Sequence, residues 1–75
     1  MSPEVETKIR ANIHHMLSYL HGVYQTDTFA HFVEEKRQQW TAAQQKYAAH
    51  GREEAACKER IKLLQLTQTL KEIQS

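Results

Sequence analysis

Five histidines in 75 residues are the densest stock of reactive groups in this sequence, and their spacing limits what they can do. Two side chains of one helix reach the same metal ion only at i,i+3 or i,i+4. His14 and His21 stand seven apart, His15 points to another side, and no His–His or His–Cys pair has the required spacing. His50 and Glu54 are four apart, but they meet only if one helix runs unbroken through Gly51. The histidines therefore read as exposed surface groups, and no metal or other cofactor is expected. Because histidine is the side chain that titrates nearest neutrality, a metal- or pH-responsive switch is a third reading of the chain.

The remaining chemistry-bearing residues are equally dispersed. Cys57 is the single cysteine, so no internal disulfide can form and a reducing, cytoplasmic setting is expected. A catalytic thiol needs a base and a pocket for developing charge. Glu53 and Glu54 lie on the N-terminal side of Cys57 and its helical face is apolar, so it reads as a packing residue. Glu34–Glu35 and Glu53–Glu54 are adjacent pairs, whose side chains diverge by about 100° on a helix and form no carboxylate pair. These residues, with Glu59, read as solvated faces, and Glu54 to Lys58 as a surface ion pair. There is no glycine-rich phosphate loop, nucleophile elbow or metalloprotease pattern. The chain is not expected to be an enzyme.

The elements that carry these residues are helices. Ser2 is a capping residue, Pro3 suits the first helical position, and Glu4 and Glu6 complement the dipole. Val5, Ile9, Ile13, Met16, Leu17, Leu20 and Tyr24 follow as one apolar stripe, with Glu4/Lys8 and Glu6/Arg10 paired on the wet side and Tyr19 off the stripe. Gly22 suggests a stop near His21, with an extension by one turn through Val23 and Tyr24 as the alternative. Thr26-Asp27-Thr28 supplies the next cap, and Phe29, Val33, Lys36, Trp40, Ala43 and Tyr47 form a heptad seam with one polar member, Lys36. Phe32 widens the seam at its start. Gly51 breaks the chain again, with Glu53 and Glu54 opening a third helix. The competing reading is a single helix from about Thr28 to Ile73, since an interior glycine costs only ~1 kcal/mol.

The third segment differs from the others. Between Ala55 and Ile73 its apolar residues cover roughly two-thirds of the helical circumference, more than one neighbouring helix shields. The expected fold is all-α: one domain over 1–75, a three-helix bundle or helical hairpin with short loops and helices at about 3–22, 27–49 and 52–73. A chain this short stands near the lower limit for a self-sufficient core, and oligomerisation is a common remedy. The leftover apolar face is expected around Ile61, Leu64 and Cys57. The expected partner-binding residues are Ile61, Leu64, Leu66, Leu70 and Ile73. Trp40 joins them as an anchor, and Lys36 either snorkels or sets a partner's register.

Ten basic against nine acidic residues, a net +1, create no long-range field and weigh against nucleic acid as a partner. Lys58, Arg60 and Lys62 are the one basic concentration, and Arg60 faces away from the other two. No apolar run approaches the ~18 residues of a membrane span, and the basic-then-apolar layout of a signal peptide is missing. The expected function is that of a non-enzymatic interaction module, a small adaptor, assembly factor or chaperone-like escort. It would shield an amphipathic helix of another protein or of a second copy, as a homodimer or a hetero-complex. In size and helical layout the chain is similar to the small helical chaperones of bacterial secretion systems, although no shared motif carries the likeness. The alternative is a small dimeric DNA-binding transcriptional regulator of plasmid or phage type.

Overall fold

A computed structural model describes all of residues 1–75 as three α-helices: α1 (Pro3–Val23), α2 (Thr26–Ala49) and α3 (Glu53–Gln74). None of them is long and apolar enough to cross a membrane. The start of α1 follows from its first residues. The Val5 N–H donates to Ser2 Oγ at 3.3 Å, Pro3 opens the helix, and Glu4 and Glu6 occupy its first turn. Gly22 does not end α1, which runs on through Val23 to an extended cap at Tyr24. The second helix begins one residue before the expected 27: Gln25 is the cap and makes no side-chain bond, so Thr26 lies inside the helix instead of capping it.

Gly51 separates α2 from α3, which removes the continuous-helix reading. Its φ of +73° is the left-handed conformation that glycine adopts without Cβ crowding. The Arg52 N–H donates to Tyr47 O at 2.8 Å and the Gly51 N–H to Ala48 O at 3.1 Å. These two bonds are the 6→1 and 5→2 pair of a Schellman motif. The Arg52 guanidinium then lies 5.1 Å from the Tyr47 ring centroid, a cation–π contact where an apolar contact commonly accompanies the motif.

The arrangement of the helices explains the greasy third segment. α3 packs along both α1 and α2, whereas α1 and α2 barely touch each other. They meet near their connection, where His21 stands edge-on to Phe29 (5.2 Å) and Tyr24 tilts against Phe32 (5.1 Å). Arg10 reaches Gln65 and His14 reaches Glu72, so α1 and α3 run in the same direction. The core is Ile13 and Leu17 of α1, Phe29, Val33 and Trp40 of α2, and Leu66 of α3. Ile9, Met16, Leu20, Leu63, Leu70 and Ile73 pack around it. The wide apolar arc of α3 thus serves two intramolecular neighbours.

Candidate interaction surface

Of the seven residues expected to meet a partner, three lie inside the subunit. Leu66 is fully buried, and Ile61 and Trp40 are buried with it. Leu70 and Ile73 are half-buried against the core, and Lys36 is half-buried on α2 with no ion-pair partner. Leu64 alone is strongly exposed, at 56%. The leftover face expected around Ile61, Leu64 and Cys57 is therefore reduced to Leu64 beside a half-buried Cys57. Polar neighbours Arg60, Thr67, Gln68 and Lys71 surround Leu64, all exposed. The reason is positional, because α3 sits between its sisters and its oily arc is turned toward both.

The inward face of α3 also holds polar groups. Glu59, Gln65 and Thr69 are all buried, so Glu59 does not belong to a solvated face as its sequence context suggests. Lys62 Nζ stands 2.9 Å from Glu59 Oε2, at an angle that makes an ion pair and no hydrogen bond, and donates to Oε1 at 3.3 Å. The same ammonium lies 5.9 Å from the Trp40 ring centroid, which joins Trp40 to α3. Across the α1–α3 boundary, Arg10 Nη1 donates to Gln65 Oε1 at 3.3 Å and Nη2 to Glu6 Oε1 at 3.4 Å. Gln65 Nε2 passes a 2.9 Å bond on to Thr69 Oγ1. These networks join α1 to α3, and the one buried side-chain polar atom without a hydrogen bond is Glu59 Oε2, which the Lys62 charge already faces.

The histidines and carboxylates meet in pairs at most. All five imidazoles are exposed, and no cluster of three or more His, Cys, Asp and Glu side chains forms. His14 approaches Glu72 and His31 approaches Glu35, each at 3.7 Å. Glu4–Lys8 and Glu6–Arg10 pair at 3.8 and 3.4 Å, whereas Lys58 has no Glu54 partner. A half-open cleft of about 310 Å³ lies where the α1–α2 connection meets the end of α3. It is lined by His21, Tyr24, Thr26, Phe29, Ile73 and Gln74.

The largest uncovered apolar surface is on α1. Its apolar residues span about 160° of the helix at 100° per residue. One edge of that arc faces α3, and α2 touches α1 only near the elbow, through His21 and Tyr24. Val5, Ile9 and Met16 are consequently only half-buried, and Tyr19 and Val23 are 58% and 59% exposed. Together with Asn12 these residues form a second heptad series, 5-9-12-16-19-23, with spacings of 4, 3, 4, 3 and 4 beside the core-facing one. The sequence held the signal: Tyr19 and Val23 continue the period of Val5, Ile9 and Met16. Read as one stripe, the two series cannot be told apart. Compared with known proteins, the chain matches no family model, no curated protein and no solved structure.

Proposed function

We propose that this chain is a non-enzymatic helical interaction module, a small adaptor, assembly factor or chaperone-like escort that shields an amphipathic helix of another chain. The observation that carries the reading is the uncovered apolar edge of α1, from Val5 through Met16 to Tyr19 and Val23. An exposed apolar strip with helical spacing offers the i, i+3, i+4 and i+7 contacts of helix-in-groove recognition. The opening between α1 and α2 gives an incoming helix a second wall, on the side where Phe32 and Lys36 are half-buried. Titratable groups dispersed along helical faces support a binding role over catalysis. A cytoplasmic setting goes with this reading, because the fold is held without a disulfide and leaves Cys57 as a free thiol.

The test compares three immobilised baits: the parent chain, a Tyr19→Lys, Val23→Lys variant, and a Leu64→Lys variant. Each is challenged with synthetic amphipathic helices and with a native lysate. Ligands held by the parent and the Leu64 variant but lost by the α1 variant are the expected result. Equal recovery on all three baits, or no recovery together with no self-association, defeats the proposal.

A further inference from the structure

We infer that α1 is a hinged arm that pivots at Tyr24–Gln25 and exchanges between copies, so that the α3 face it covers also accepts α1 of a second chain. The inference concerns the inner face of α1 and goes beyond the role proposed for its outer edge. Three observations carry it: how the two connections are built, where Gly22 stands, and what holds α1 in place.

The two connections differ. The turn at Gly51 is fixed by a positive φ, by the paired backbone bonds from Arg52 and Gly51, and by the Arg52–Tyr47 contact. The elbow has no such device. Tyr24 (φ −108°, ψ 154°) and Gln25 (φ −68°, ψ 162°) adopt extended conformations open to any residue, and Gln25 caps α2 without a side-chain bond. The Tyr24 N–H donates back to Leu20 O and the Phe29 N–H to Gln25 O. Each of these bonds belongs to one helix end and survives a change of angle between the two helices. No hydrogen bond or ion pair joins α1 to α2.

Gly22 lies in the last turn of α1, beside the elbow, with open space around it and no positive φ. Neither packing nor turn geometry calls for glycine there. A glycine at that point loosens the helix end, which eases movement of the arm.

What holds α1 is α3. Ile13 and Leu17 share the core with Leu66, Arg10 donates to Gln65, and His14 faces Glu72. Against α2, the ring contacts His21–Phe29 and Tyr24–Phe32 lie beside the pivot. The α2–α3 contact is the larger of the two that α3 makes, and it keeps Phe29, Val33 and Trp40 in place while the arm swings. The structure itself shows what covers the α3 face: a helix with apolar residues at 9, 13, 17 and 20 and polar ones at 10 and 14. Another copy's α1 carries the same groups and makes the same contacts. Exchange of an identical element thus pairs two copies without a new interface. A chain's own α1 stands at an effective concentration on the order of 1 mM. Exchange is therefore rare in dilute solution and competes as the protein approaches that concentration.

Hydrogen exchange on the full chain tests the pivot. Amides of residues 13–17 should be at least about tenfold less protected than those of residues 33–40, because the arm opens before the whole chain unfolds. Equal protection in all three helices overturns the inference. Exchange between copies is read in a Cys57→Ser background with two chains, one carrying His14→Cys and the other Glu72→Cys. They are equilibrated together from about 10 μM to about 2 mM and joined by a short bis-maleimide. The mixed product should exceed its statistical share over the two homodimers, and increasingly so with concentration. A statistical share at every concentration overturns the inference as well. Tyr19→Lys, at an exposed outer position, should leave both readings unchanged, so failure here is separate from failure of the proposed interaction role.

Discussion

Two leucines of one helix show how little a residue's type decides by itself. Leu64 and Leu66 sit two positions apart on α3, yet Leu66 is fully buried and Leu64 is 56% exposed. Leu66→Ala deletes packed methyl groups that nothing else can fill, and thermal unfolding should show a loss of about 2–5 kcal/mol. Leu64→Ala in the same assay should stay within about 0.5 kcal/mol. The Glu59–Lys62 pair gives a second residue-scale expectation. Lys62→Met strips the counter-charge from a carboxylate that is itself buried, and chemical denaturation should report a loss of about 1–3 kcal/mol. The lower end applies because the Lys62 side chain is 31% exposed and its charge is screened. Adding Glu59→Gln to Lys62→Met should restore at least half of the loss. No recovery would mean that Lys62 acts through its contact with Trp40 and not through its charge.

At the scale of elements, a helix's role follows from how many neighbours it has. α3 has two, so a wide apolar arc that also holds Glu59, Gln65 and Thr69 is satisfied inside the chain. α1 has α3 on one side and meets α2 only near the elbow, so part of its narrower arc is left over. The turn at Gly51 is what lets α3 fold back between the other two. Its φ of +73° crowds any Cβ against the backbone, and the space around it is otherwise open. Gly51→Ala should therefore destabilise the bundle by about 1–2 kcal/mol through backbone strain alone, measured by the shift of the denaturation midpoint at unchanged slope. A neutral result would show that the Schellman geometry is not needed to reverse the chain.

For the molecule as a whole, openness and charge separate the two functional classes. The extents of 39 × 24 × 18 Å and a radius of gyration of 13.0 Å, against about 11 Å expected for this length, describe an elongated bundle. The surface is near-neutral, and Lys58, Arg60 and Lys62 of α3 do not form one basic face: Lys58 and Lys62 are half-buried, Lys62 is paired with Glu59, and Arg60 is exposed on another side. A chain of this charge should not retard duplex DNA at moderate salt. Retardation that collapses as salt rises would instead favour the regulator reading. The all-helical class, three helices and the break at Gly51 were legible because capping residues, heptad spacing and glycine act locally. The Glu6–Arg10 pair was legible at i,i+4, but the link from Arg10 to Gln65 and Thr69 was not, because it joins two helices far apart in sequence.

Period and composition determined that this chain would be helical, where its helices would end within a residue or two, and that it carries more apolar surface than a simple hairpin can use. Which helix keeps the surplus was decided only in three dimensions. Amphipathic stripes state how much each helix has to bury, but coverage depends on which helices touch. Once α3 lies between α1 and α2, its own oily arc is satisfied and the outer edge of α1 is left facing water.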